Sequence, residues 1–257
     1  MSVQSAAMIS HEIIGDDMQA VVISMSAGDE VRAEAGAMTY MTDGIDMDAR
    51  MTGGLLGGLK RKFLAGESLF LTYFRCSAAS GRVAFSAPYP GKIIRVPLQN
   101  SAILCQRGSF LCATGDMNIN IEFTKKLGAG FFGGEGFILE RFEGTGELFA
   151  HSGGTIVPME LKAGEKLKVD TGCLVAFDPT VDYDIQFVGG IKTAIFGGEG
   201  LFFAAMTGPG RVWIQTLPFS RLADRVLSAF HGSKEEVRRG DLGGTLGALG
   251  DLIGGDR

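Results

Sequence analysis

The residues of this chain that could do chemistry are few, and their spacing tells more than their types. A Gly-Glu step stands at Gly66-Glu67, Gly134-Glu135 and Gly198-Glu199. If a threefold arrangement brought Glu67, Glu135 and Glu199 together, their carboxylates could bind a hard cation, which favours oxygen ligands. The alternative is structural: a turn glycine followed by a strand-edge carboxylate. Presence in every copy of a repeat speaks for fold over a single catalytic centre.

Other chemistry has less to stand on. His11, His151 and His231 are far apart and form no H-x-x-x-H or H-E-x-x-H, so a zinc site is not indicated. No G-x-S-x-G elbow is present. Gly128-Ala129-Gly130-Phe131-Phe132-Gly133 matches G-x-G-x-x-G, but dinucleotide binding also needs a helix N-terminus at the pyrophosphate. Instead the next residues are Gly134-Glu135-Gly136 and a β-patterned run, so the glycines read as a turn. Cys76, Cys105, Cys112 and Cys173 show no C-x-x-C spacing and are expected as small core residues in a reducing, cytoplasmic setting. The chain therefore reads as a non-enzyme, with no cofactor implied.

One segment could instead make contacts. Leu55, Leu56, Leu59 and Phe63 accompany Lys60, Arg61 and Lys62 in a loop spanning 53–64. That mixture suits a membrane surface or a protein partner, or a turn packed over its own unit. The tail 232–257, with Leu242, Leu246, Leu249, Leu252 and Ile253, raises the same alternatives, and burial in a homo-oligomer would satisfy them.

The elements that must position these residues are mostly strands. Apolar residues make up 46% and charged residues 21%, a globular balance. The net charge of −5 argues against a broad phosphate-binding surface, so no nucleic acid is expected as a partner. No charged start followed by an apolar stretch is seen at the N-terminus, and no run approaches the length of a membrane span.

Three runs alternate apolar and polar with the period of a half-buried strand: Ile45 to Met51, Met117 to Phe123, and Val181 to Phe187. Their starts lie 72 and 64 residues apart (117−45 and 181−117). Gly36, Gly108 and Gly172 each stand nine residues ahead of one, and Gly81, Gly146 and Gly210 stand downstream. The pattern predicts an all-β chain with a threefold internal repeat of antiparallel sandwich or double-stranded β-helix-like units, over about 18–90, 91–154 and 155–218. Each unit is expected to hold four or five short strands, with Gly144-Thr145-Gly146 and Gly208-Pro209-Gly210 as hairpin tips. Phe219, Leu222, Ala223, Val226, Leu227 and Phe230 then mark an amphipathic helix over 219–231, closing a single domain 1–231 before the tail.

Several of these pieces together resemble a known family. Gly53 to Arg61 followed by Ala65-Gly66-Glu67-Ser68, the Gly-Gly-Glu-Gly turns at 133–136 and 197–200, and the exit Leu217 to Arg225 are similar to its signature. The chain is identified as a prokaryotic member of the family named for altered inheritance of mitochondria, number twenty-four. The resemblance implies a fold like that of the tryptophan RNA-binding attenuation protein (TRAP-like). Eukaryotic members are linked to mitochondrial membrane organisation. The leading expectation is a non-enzymatic, self-associating binding or scaffold protein. A small-molecule sensor for an amino acid or lipid, and a peripheral membrane organiser, are the alternatives.

Overall fold

The computed structural model describes residues 9–52, 69–125, 137–187 and 202–229. The chain divides into two units, Met1–Pro218 and Phe219–Arg257. Strands dominate the first.

The expected alternation does form strands. Ile45 opens β5, Met117 lies in β9, and Val181 immediately precedes β14. In β9, Met117 and Ile119 are buried while Asn118 and Asn120 face out, as a period of two requires. In β5 Ile45 is buried, while Met47 is 55% exposed.

The first stretch holds β1 (Ser10–Ile14), β2 (Ala20–Ser26), β3 (Glu30–Glu34), β4 (Met38–Met41), β5 (Ile45–Thr52), β6 (Leu69–Cys76) and β7 (Ser80–Ser86). There β6 lies between β5 and β3, while β7 lies between β4 and β2. The middle stretch has only three strands, β8 (Gly91–Gln106), β9 (Phe110–Lys125) and β10 (Phe137–Gly153). The last has β11 (Ile156–Leu161), β12 (Lys166–Asp170), β13 (Leu174–Phe177), β14 (Asp182–Phe187), β15 (Phe202–Thr207) and β16 (Gly210–Gln215). There β15 lies between β14 and β12, and β16 between β13 and β11. All the pairings within these strands are antiparallel.

Two expectations are corrected here. The middle stretch is not built from four or five short strands, because each of its three strands is long enough to serve two ladders. The first half of β10 pairs with the second halves of β8 and β9, and its second half pairs with their first halves. Nor are the two glycine clusters hairpin tips. Gly144-Thr145-Gly146 lies inside β10, at a register shift against β8. Gly208-Pro209 connects β15 to β16, which belong to different sheets and share no ladder. The second cluster is a corner, where the chain leaves one sheet for another, and the first is an irregularity within one strand of a single sheet.

Close backbone approach explains the glycine at the register shift in β10. Gly146 has φ +155°, and a Cβ there would stand 2.0 Å from the Thr114 carbonyl oxygen. Only glycine fits.

Three apolar clusters fill the molecule. The first-stretch core gathers Val21, Ile23, Phe74, Val83, Phe85 and Leu111, and takes in Phe149 from β10. The central core includes Val96, Ile103, Phe110, Phe142, Leu148 and Val175. The third gathers Val169, Leu174, Phe177, Ala204 and Val212, with Phe137 and Leu139 from β10. Thus β10 supplies side chains to all three. Polar stitches reinforce the joins. Arg32 donates to the backbone carbonyls of Gly115 and Met117, and Gln215 accepts from Gly153 N–H and donates to the Gly172 carbonyl, each at 2.8 Å.

The second unit, by itself, is helical over the described residues 219–229. Phe219, Val226 and Leu227 of the expected stripe are exposed there. Among the described residues no helix is long and apolar enough to cross a membrane.

Replacing Gly146 by alanine is expected to cost about 1–3 kcal/mol or more, through strain against Thr114. Urea unfolding of Gly146→Ala beside the parent measures this, and an unchanged midpoint would refute the close-approach account.

Candidate functional site

The loop 53–64, with Leu55, Leu56, Leu59, Lys60, Arg61, Lys62 and Phe63, lies outside the described residues. So do Glu67, Glu135, Glu199, the G-x-G-x-x-G segment and the tail. The titratable groups whose geometry is on view are others, and they gather on β10.

Glu140 is fully buried, beside Cys105 across the ladder to β8. Neither carboxyl oxygen has a hydrogen-bond partner among the described residues. Burial pushes its pKa up to about 8; Glu34 adds like-charge repulsion and Arg107 offsets part of the effect. Glu140 is therefore a neutral acid at ordinary pH. No group of three or more metal-binding side chains occurs among the described residues.

Glu147, further along the same strand, is buried and partnered. Arg95 donates to its Oε1 from Nε at 2.7 Å and also from Nη2. His11 Nδ1 lies 3.0 Å from the other oxygen, an ion-pair distance once the ring is protonated but without hydrogen-bond alignment. The His11 ring also meets Phe149 edge-on at 5.0 Å. This cluster pins β1 across β10. The Arg95 tie is charge-assisted, and losing Arg95 would strand a buried carboxylate.

His151 packs edge-on against Tyr89 at 4.6 Å. Burial lowers its pKa to about 4, with a hydrogen bond to the Tyr89 backbone opposing the shift. It stays neutral near pH 7. Burial also raises the Cys105 and Cys112 thiols well above their usual range, with Glu140 and Glu147 respectively adding to the effect. Thiols held protonated are poor nucleophiles. These buried groups hold strands together; none of them is arranged as an activated nucleophile with its base.

Sequence reasoning missed Glu140 and Glu147, and weighed His151 only as a zinc ligand. Glu140 had a legible signal, since it shares a strand face with Ile138 and Phe142. Glu147 and His151 had none, because residues 147–153 are buried on both faces and show no alternation.

A family profile described as mitochondrial biogenesis AIM24 matches residues 11–217. The chain belongs to the AIM24 family. An uncharacterized protein of Streptococcus pyogenes serotype M6 is 30% identical over 211 residues, covering 79% of this chain and 83% of that one. The crystal structure of a Streptococcus pyogenes protein superposes with a TM-score of 0.71 at 26% identity, over 86% of this chain and 99% of the other. The AIM24 match spans the strand-built unit almost completely and stops just before the helix.

The buried acid and the buried imidazole pull stability in opposite directions with pH. Folded Glu140 keeps its proton to about pH 8, whereas the unfolded group releases it near 4.5. Its contribution is full below pH 4.5 and is lost as pH rises through about 8, on the order of a few kcal/mol. Folded His151 takes up a proton only near pH 4 against 6.5 when unfolded, so its contribution is lost as pH falls from 6.5 through 4. Chemical unfolding at stepped pH should show Glu140→Gln gaining on the parent from pH 4.5 to 8. Parallel curves would mean that Glu140 ionises as an ordinary carboxyl.

Proposed function

We propose that this protein is a non-enzymatic, self-associating binding or scaffold protein built from three copies of one TRAP-like unit, working in a reducing compartment such as the cytoplasm. One observation carries the self-association. Among the described strands, the large apolar side chains left exposed are Ile14 in β1, Tyr40 and Met41 in β4, Met47 in β5, Val157 in β11 and Phe187 in β14. All of these strands are sheet edges. Natural edges are usually blunted with charge, proline or bulges, because an open ladder recruits other chains. Apolar side chains concentrated on edges fit surfaces meant to be covered.

The threefold reading draws support from the pairing order. The scheme that sets β6 between β5 and β3, and β7 between β4 and β2, is repeated by β15 with β14 and β12, and by β16 with β13 and β11. The two halves of β10 pair with β8 and β9 in the same order. Four free, buried cysteines accord with a reducing setting.

Light scattering on the eluting protein over a range of concentrations tests the proposal. A discrete oligomer is expected. A monomer at every concentration, with the tail intact, would reject it.

A further inference from the structure

The strand junctions inside the chain are of one kind, and one is left unmade. Between the first and middle stretches, β3 pairs with β9: Ala33 faces Cys112, Arg32 faces Ala113 and Val31 faces Thr114. Between the middle and last stretches, β8 pairs with β13: Cys105 faces Ala176 and Leu104 faces Phe177. The landmark glycines put these two ladders in identical register. Ala33 and Cys105 stand three residues before Gly36 and Gly108, while Cys112 and Ala176 stand four after Gly108 and Gly172. The remaining members of the two sets are β12 and β4. Each lies at the edge of its sheet, and neither pairs with the other.

We infer that β4 of one copy of this chain docks antiparallel on β12 of a second copy, so that copies join head to tail by the same junction that joins the stretches within each. The glycine offsets set the register, with Val169 facing Tyr40, Lys168 facing Met41 and Leu167 facing Thr42. The inference rests on the threefold, self-associating reading proposed above and names the surface through which association occurs.

Burial and charge both favour that occupant. Tyr40 is 43% and Met41 38% exposed, whereas their counterparts Cys112, Ala113, Ala176 and Phe177 are each 0% exposed under the junctions already made. One step beyond the ladder, the same register sets exposed Lys166 against exposed Asp43, an attractive pair across the joint. The lysines of β12 would at the same time discourage indiscriminate pairing. Because the two surfaces differ, the contact is heterologous, and successive copies close a ring or run on as a filament according to the rotation at each joint.

Site-directed cross-linking tests this. Facing residues of an antiparallel pair lie about 4.5–5.5 Å apart at Cα, within disulfide range. Met41 and Lys168 are both exposed, so cysteine there should leave the fold intact, checked by circular dichroism, and the four native cysteines are buried. Under mild oxidation, a mixture of Met41→Cys and Lys168→Cys chains should give a disulfide-linked dimer that neither gives alone. The double variant should give higher multimers. An intrachain disulfide in the double variant, or no dimer in the mixture, would overturn the inference. If the parent is nevertheless a discrete oligomer by light scattering, only this junction fails; if the parent is a monomer, the self-association reading falls with it.

Discussion

The strand β10 runs between β8 and β9 along most of its length, and its pairing with β8 shifts register where its backbone leaves no room for a side chain. On either side of Gly144-Thr145-Gly146, β10 pairs antiparallel with the same two neighbours, β8 and β9. The long neighbours β8 and β9 depend on that strand, since each pairs with both of its halves. Asn100, in the left-handed region at φ +48°, marks the matching turn in β8. The three cores depend on it too, since β10 contributes Phe149 to one, Phe142 to the next and Leu139 to the third. A central strand buried on both faces and paired along both edges leaves little freedom for register error.

Such a strand gains from being apolar, yet β10 carries Glu140, Glu147 and His151 inside. Of the three, Glu147 is met by opposite charge at hydrogen-bond distance, from Arg95. Glu140 and His151 are kept neutral by burial, each at a cost that depends on pH. The protein is thus squeezed from both sides in pH, by the acid as pH rises and by the imidazole as it falls. Buried polar groups of this kind disfavour alternative registers of a strand that could otherwise slide on its apolar neighbours.

Much of the architecture was legible because glycine and alternation are local signals. Ile45, Met117 and Val181 announced β5, β9 and β14. What a glycine does in space was not legible. Gly146 and Gly210 read as hairpin tips because a turn, a register shift and a corner leave the same local mark, and only ladder partners distinguish them. Glu140 could be placed on an inward face by its spacing from Ile138 and Phe142, but not its lack of partners, which depends on β8 and β3. The open edges were hidden for the same reason: Tyr40 and Met41 sit at the same offset as Ala176 and Phe177, and only the ladder partners show that β13 lies against β8 while β4 lies at a sheet edge. The contact loop and repeated carboxylates singled out from sequence, including Arg61 and Glu135, fall outside the described residues.

Under the threefold, head-to-tail account, the chain carries an unmade junction at each end of its series of stretches, and association supplies it. Amide hydrogen exchange at stepped protein concentration reads this strand by strand. The account predicts that amides in Met38–Met41 and Lys166–Asp170 gain protection together as concentration rises, while those already paired across Ala33 and Cys112 do not change. Rapid exchange in both strands at every concentration, or full protection of both in the isolated monomer, would contradict it.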